Sequence, residues 1–505
     1  MVSIRALQLG GSDYSGLVEL GEDVEWCFEP ALEDDDPEYD IAFVARALAA
    51  QEVAYLARHV RAYCLFVSDD ISLDARMARL MRSRMGRRYA EADVPRFLRD
   101  DLRNYFSRPY GEKYDPHAMA ISPNFHGSVR WNGYTEAVLQ GSFGESMQQL
   151  AFWRGNVPVE QGQAIDLWLE YEKDGDVQIE LQVVQFPRGS VSVIQNVWRF
   201  SEEDLRQPVT IDNDKLPGPV FVTLNARGQG TLRIRALHDR HSRRGVGAFV
   251  PGGRRWVTSD REELFTYFDP GDLRPPLCVY FSGYKTMEGF EGYHMMRRMG
   301  CPFLLVSDAR LEGGAFYLGS EEYEGLVCRA IGEALGELGF TEGQTVLSGL
   351  SMGTFGALYY GTMVRSGDVI VGKPLLSLGN VAKNERLQRP GVFPTSLDLL
   401  WKECGSLGES AVDRLNSRFW DRFDQTDWSG RTIYAAYMIE DDYDHDAYQQ
   451  LLSHVSGNGA KVIGKGLHGR HNDDTRGIVG WFVAQYRRVL CQEYGRGRGR
   501  DAGAR

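Results

Sequence analysis

No stretch of this chain is apolar for 18 residues in succession, so nothing in it reads as a membrane-spanning helix. The first residues, MVSIRALQLGGSDYSG, lack a charged segment followed by an apolar one, and no secretory signal is read there. Cysteine is sparse. Seven are scattered, at Cys27, Cys64, Cys278, Cys301, Cys328, Cys404 and Cys491, an odd number with no C-x-x-C pair. That usage predicts reduced, mostly buried thiols and a cytoplasmic protein. Positive charge is in deficit, with 57 Lys and Arg against 70 Asp and Glu and a formal net charge of −13. The balance argues against general nucleic-acid binding and against attraction to an anionic membrane surface. Any membrane-peripheral location would have to come through partners. What is present is ordinary for a globular chain: 505 residues, 43% hydrophobic and 25% charged, enough for two to four domains.

The chain is organised around Thr345 to Tyr360, TVLSGLSMGTFGALYY. It contains Gly349-Leu350-Ser351-Met352-Gly353, a G-x-S-x-G pattern. A short apolar run precedes it and a small-residue, helix-compatible run follows. Strand, sharp turn and helix make the context of a nucleophile elbow, whose glycines let strand and helix cross closely. The bland alternative is a tight turn with Ser351 as a helix cap.

Around this centre the sequence predicts an α/β fold in three parts and a tail. Residues 1–115 read as a small α/β, Rossmann-like domain with strands at Ile4–Leu9, Ile41–Val44 and Ala62–Val67. Helices are expected at Gln51–Val60, Arg76–Arg88 and Val94–Phe106. Gly10-Gly11 reads as a turn, without the full G-x-G-x-x-G spacing. Residues 116–245 alternate apolar and polar in short runs separated by turn signals such as Lys173-Asp174-Gly175 and Ala226-Arg227-Gly228. This pattern predicts a β-sandwich, with a carbohydrate-binding-like role as an option. Trp131, Trp153, Trp168 and Trp198 could stack on sugar rings, but core packing is the preferred expectation. His238 to Arg244, HDRHSRR, reads as a solvated linker, without a carboxylate or cysteine set to make it a metal site. Residues 246–492 return to strand-helix alternation and read as an α/β-hydrolase-like catalytic domain. Residues 493–505, rich in Gly and Arg, read as a disordered tail.

A serine hydroxyl needs a base in reach, and the base needs an orienting carboxylate. In α/β-hydrolase order the acid and then the histidine follow the serine. The strand Thr432–Met438 runs into Glu440-Asp441-Asp442-Tyr443-Asp444. Asp441 is preferred as the acid, with Glu440 as the alternative. The loop Gly466-Leu467-His468-Gly469-Arg470-His471-Asn472-Asp473 supplies the base, His471 ahead of His468. His445 and His454 read as surface residues. The oxyanion would rest on backbone N–H groups of Met352 and of Gly283 or Tyr284. Lys285 and Arg310 could meet an anionic group, with salt bridges to nearby acids as the default.

The residues Ser348-Gly349-Leu350-Ser351-Met352-Gly353-Thr354-Phe355-Gly356 resemble the elbow of the second accessory secretory protein of the accessory Sec system. Val279-Tyr280-Phe281-Ser282-Gly283-Tyr284, Glu288-Gly289-Phe290-Glu291-Gly292-Tyr293, Asp441-Asp442-Tyr443-Asp444 and Gly469-Arg470-His471-Asn472-Asp473 are similar to that family too. The resemblance implies export of serine-rich-repeat glycoproteins in Gram-positive bacteria. It implies O-acetylation of N-acetylglucosamine on them by a Ser351, Asp441, His471 triad. The family's acid is a glutamate aligned near Asp441. Implied partners are other accessory secretory proteins in a heteromeric complex, the dedicated SecA motor and the glycoprotein substrate. No bound cofactor and no metal are expected. An acetyl donor is required, acetyl-CoA being one candidate. Two other readings stay open: a non-catalytic scaffold of the export complex, and a carbohydrate acetyl esterase.

Overall fold

The computed structural model describes residues 4–106, 110–190, 192–213 and 217–497. Among the described residues, three sheets account for the strands. The first is parallel: β1 (Ile4–Leu9), β2 (Val24–Phe28), β3 (Ile41–Val44), β4 (Leu65–Ser68) and β5 (Arg87–Tyr89), in the order β2-β1-β3-β4-β5. β3 and β4 are wholly buried, which is why they read as unbroken apolar runs. β2, half exposed at the edge, gave no such signal. The helix expected over Arg76–Arg88 spans only Ala75–Ser83, and the chain turns at Met85 (φ 47°) into β5. In this strand order a ligand crevice would open between β1 and β3. Arg46 fills that place, paired with Glu29 and Glu52 at 2.7 Å each. A Cβ on Gly10 would lie 2.5 Å from the Arg46 side chain. Gly10-Gly11 is a turn against a plugged crevice.

The second sheet contains β6 (Gly111–Tyr114), β7 (Met119–Ile121), β8 (His126–Asn132), β9 (Glu136–Trp153), β10 (Val157–Val159), β11 (Ala164–Gln185), β12 (Asn196–Ser201), β13 (Val209–Asp212) and β14 (Gly218–His241). It is one continuous hydrogen-bonded sheet, where the spacing predicted a sandwich of separate short strands. The expected turns at Lys173-Asp174-Gly175 and Ala226-Arg227-Gly228 lie inside β11 and β14. The reason is a row of glycines. Gly127 pairs with Gly141, Gly141 with Gly230, and Gly230 with Gly175. Gly141, Gly230 and Gly175 take φ of 155°, 153° and 85°. Glycine lets the long strands change direction there without losing their partners. One core collects Leu139, Leu232 and Ile234 on one side of this line and Leu150, Val183 and Leu224 on the other. Trp153 and Trp168 are buried, Trp198 is partly buried against the core, and Trp131 is exposed.

The third sheet is β15 (Arg254–Val257), β16 (Glu263–Asp269), β17 (Leu277–Phe281), β18 (Phe303–Asp308), β19 (Thr345–Leu350), β20 (Val369–Gly372), β21 (Thr432–Met438) and β22 (Lys461–Leu467). Its order is β15-β16-β18-β17-β19-β20-β21-β22, antiparallel for the first two pairings and parallel from β18 onward. β17, β18 and β20 are buried throughout, and β19 up to its last residue. Helices Glu321–Leu338, Met352–Gly361 and Thr475–Gln492 cover the faces.

The stretch His238 to Arg244 is not a solvated linker. Its first four residues, His238 to His241, complete β14, and His238, Asp239, Arg240 and Arg243 are buried. Arg240 pairs with Glu263 and Glu288, His238 with Glu288 (2.6 Å) and Glu170 (3.2 Å). Arg243 donates to Asn104 O (2.9 Å) and lies 3.8 Å over the Phe106 ring. The polar string thus joins all three parts of the chain. Within the stretch expected as a tail, Arg496 bonds Asp272 Oδ1 (2.8 Å) and Pro275 O (2.8 Å). Residues 498–505 lie outside the described residues.

Candidate active site

The elbow follows from its glycines. β19 ends at Leu350, Ser351 turns with φ 52° and ψ −119°, and the helix starts at Met352. Such a backbone is strained for a residue with a side chain. The Ser351 N–H donates to Gly372 O of β20 at 2.8 Å, which anchors the turn. A Cβ at Gly349 would fall 2.2 Å from Gly353 O, and one at Gly353 would fall 2.1 Å from Phe281 O. Both glycines are therefore required by close approach of strand, turn and helix.

Ser351 and the two preferred partners meet. Ser351 Oγ lies 2.8 Å from His471 Nε2, and His471 Nδ1 lies 2.8 Å from Asp441 Oδ2. With the proton on Nδ1 donated to Asp441, Nε2 is an acceptor for the serine hydroxyl. Serine and histidine stand 120 residues apart in the chain. β21 delivers Asp441 and β22 delivers the histidine loop, both just beyond the strands' C-terminal ends. His471 and Asp441 are 2% and 5% exposed, so the pair is shielded from water.

Asp441 is held by more than the histidine. Its Oδ1 accepts the N–H groups of Tyr443 (2.8 Å) and Asp444 (3.2 Å). Burial would raise its pKa. The His471 hydrogen bond and charge, with those two N–H groups, outweigh burial and hold it below the usual aspartate value. Glu440, the alternative acid, points elsewhere. It is half exposed and accepts from His468 Nδ1 (2.9 Å) and the Gly469 N–H (2.6 Å). His468 is 86% exposed and forms this second, outward pair. His445 is exposed beside Asp446, and His454 pairs with Asp424. Asp444, buried and accepting from the Leu376 and Ser377 N–H groups, is pushed up to about 6 by burial.

Of the backbone donors considered, the Gly283 N–H is taken by Glu291 Oε2 at 2.6 Å. Among the described residues, the N–H groups of Met352 and Tyr284 have no hydrogen-bond partner. Glu291 thus braces the loop that carries Tyr284, beside the Leu350 carbonyl. Arg310 is buried in ion pairs with Asp308 and Glu262, as the default reading expected. Lys285 is partly buried, and burial lowers its pKa.

One group has a metal-like composition, Glu170, His238 and Glu263. It does not fit a cation. Arg240 and Arg255 already neutralise Glu263, and His238 is raised to about 9: burial opposes protonation, but Glu288 and Glu170 prevail. A protonated imidazole is not a ligand.

Several further residues surround the site. Tyr443 stacks on His471 with centroids 4.4 Å apart. Asp442 Oδ1 accepts the His471 backbone N–H (3.0 Å). Both sit in the family-like run Asp441 to Asp444, where nothing in the residue pattern alone assigns either a place against the histidine. Arg389, over Tyr443, belongs to no motif.

The family described as "Accessory Sec system GspB-transporter" matches residues 4–496. The second accessory Sec system protein of Streptococcus gordonii is 37% identical over 506 residues, covering 98% of this chain and 99% of that protein. The protein of the same name from Staphylococcus aureus (strain NCTC 8325 / PS 47) is 41% identical over 391 residues, 77% of this chain and 75% of that one. Among solved structures, a chain of the glycosylation-associated Gap123 complex from Streptococcus agalactiae superposes with a TM-score of 0.87 at 36% identity, covering 98% of this chain and 99% of that chain. With family match, full-length identity and shared fold in agreement, this chain belongs to the accessory Sec system GspB-transporter family, that of the second accessory secretory protein.

Proposed function

We propose that this protein is a serine-dependent O-acetyltransferase. It would act on N-acetylglucosamine of serine-rich-repeat glycoproteins and be needed for their export. The observation that carries the proposal is the unbroken relay from Ser351 Oγ through His471 to Asp441 at a strained elbow. The strand order, with the serine after β19 and the acid and histidine after β21 and β22, supports an α/β-hydrolase-like catalytic domain at 246–492. The first and second sheets would form the other two domains.

The chemistry is two acyl transfers. His471 Nε2 takes the Ser351 hydroxyl proton as Oγ bonds the acetyl carbon of an activated donor. The oxyanion is received by the N–H groups of Met352 and Tyr284. The intermediate collapses, the donor's leaving group departs with the proton from His471, and acetyl-Ser351 remains. A sugar hydroxyl then gives its proton to His471 and attacks the acyl carbon. Ser351 leaves as the alkoxide and recovers the proton. Asp441 stays ionised and keeps the imidazole in the tautomer that can accept. A thioester such as acetyl-CoA has the required reactivity as donor.

The same reading makes the protein a cytoplasmic member of a heteromeric complex with other accessory secretory proteins and the dedicated SecA motor. The Gap123 complex of its Streptococcus agalactiae relative supports the heteromeric assembly. No helix among the described residues is long and apolar enough to cross a membrane, which fits contact with the membrane through partners. Mass spectrometry of the exported glycoprotein from wild-type and Ser351→Ala cells tests the proposal. Loss of sugar acetylation is expected. Unchanged acetylation would leave a scaffold role.

A further inference from the structure

The segment after the helix Leu378–Leu387 has an unusual anchor. Glu385, 1% exposed, accepts three backbone N–H groups of that segment: Gly391 (2.5 Å), Val392 (3.1 Å) and Phe393 (2.7 Å). One carboxylate receiving three successive N–H groups fixes a loop that has no sheet or helix to hold it. The loop so fixed brings two side chains to one ring. The Arg389 guanidinium lies 4.1 Å over the Tyr443 centroid, and Phe393 stacks on Tyr443 at 5.5 Å and 6°. Tyr443 in turn stacks on the His471 imidazole at 4.4 Å and 22°.

A second path leads from the same arginine to the same histidine. Arg389 Nη1 is 3.4 Å from Asp442 Oδ2, and Asp442 Oδ1 accepts the His471 backbone N–H. Tyr443 also donates its own N–H to Asp441 and receives Asn472 Nδ2 at its hydroxyl (3.1 Å). Arg389 accepts a poor position to do this. Its Nε and Nη2 are buried without a partner, and such donors are ordinarily satisfied. A guanidinium kept there at that expense has its benefit in the ring and the carboxylate it touches.

We infer that Arg389 and Tyr443 are positioning residues. They form a brace, set by Glu385, that holds the His471 ring edge-on between Ser351 and Asp441. The inference rests on the serine-histidine reading above. It adds that the imidazole is not placed by Asp441 alone. Hydrogen bonds at its two ring nitrogens still leave the imidazole free to tilt out of their plane, and once Ser351 is acylated only the bond to Asp441 remains. An aromatic face on one side removes that freedom, and small misplacements in such relays are expensive in rate.

The test uses the full chain and acetyl transfer from an aryl acetate. Tyr443→Leu, which keeps an apolar side chain but no ring, is expected to lower kcat on the order of 10- to 100-fold with KM little changed. Tyr443→Phe, which keeps the ring, restores most of the loss. Arg389→Met lowers kcat in the same direction, and Arg389→Lys, which returns a cation over the ring, recovers part of it. The downfield proton resonance of His471 Nδ1–H is followed in parallel, with thermal unfolding of every variant. It should broaden or vanish in Tyr443→Leu and Arg389→Met while the unfolding temperature holds. If Tyr443→Leu fails to fold, Arg389→Met decides. A sharp, unshifted resonance and an unchanged kcat in a folded variant would overturn the brace. Absence of Ser351-dependent turnover in the wild type would instead refute the serine reading, and the resonance would still report on the brace.

Discussion

Asp441→Asn is the substitution in which the geometry makes the sharpest demand. The carboxylate has two oxygens with different duties. Oδ1 accepts from the Tyr443 and Asp444 N–H groups, and Oδ2 accepts from His471 Nδ1. An asparagine keeps the first duty only if its carbonyl oxygen takes the Oδ1 place. Its NH₂ group then faces Nδ1, and two donors would meet. The imidazole escapes by moving its proton to Nε2, 2.8 Å from Ser351 Oγ. In that tautomer it cannot accept the serine proton, although every heavy atom stays where it was. A relay disabled in this way loses about 10⁴-fold in kcat, which is about 5.5 kcal/mol of barrier. The assay is the pre-steady-state burst of acetyl-Ser351 from an aryl acetate, with Glu440→Gln as the control. Glu440→Gln should leave the burst near wild type, because Glu440 serves the exposed His468. An Asp441→Asn rate within about 3-fold of wild type, a barrier change of about 0.7 kcal/mol, would refute the tautomer argument. It would do so most clearly if Glu440→Gln abolished the burst.

Gly353→Ala places a Cβ 2.1 Å from Phe281 O, a backbone atom that cannot give way, and should destabilise the fold by about 2–3 kcal/mol or more in denaturant titration. Arg240→Met leaves Glu263 and Glu288 short of their buried cation and should cost about 3–5 kcal/mol in the same measurement. His238 is raised from its ordinary value to about 9, so its contribution to stability is complete below pH 6.5 and is lost as pH rises through 9. The unfolding temperature should therefore fall across that window, by an equivalent on the order of 3 kcal/mol at most, and His238→Gln should flatten the decline. Burial also lifts Asp239 from the ordinary aspartate value to about 7, so stability falls as pH rises toward 7 while only the unfolded chain ionises, and this contribution is level above that; Asp239→Asn should remove that part of the decline below pH 7.

Local chemistry and tertiary chemistry differ in how far they can be read from a string of residues. The elbow was legible because its constraints are local. Two glycines and a serine within five positions, after an apolar run, leave few backbone solutions. The acid and the histidine were legible from chain order, since loops at the C-terminal ends of parallel strands share one edge of a sheet. The edge strands β2 and β15 and the short β20 were not read, because partly exposed or brief strands carry little periodicity, and β16, buried between β15 and β18, shows no alternation of apolar and polar residues either. The middle sheet was misread as separate short strands for a related reason. Glycines inside β9, β11 and β14 look like turn residues, and only their partners across the sheet make them a shared bend.

The sequence by itself determined the alternation of strand and helix, the strained serine and the two loops from which its partners come. Each of these depends on neighbours within a few residues. The choice of Asp441 over Glu440 was decided only by tertiary structure: adjacent residues on a turn face opposite ways, one to His471 and one to His468. The fate of HDRHSRR was decided there too. A charged string is solvated unless opposite charges arrive from elsewhere, and here Glu170, Glu263 and Glu288 come from three distant segments to bury it. Whether a polar side chain faces water or a partner is a property of what folds against it, and that is written nowhere near the residue itself.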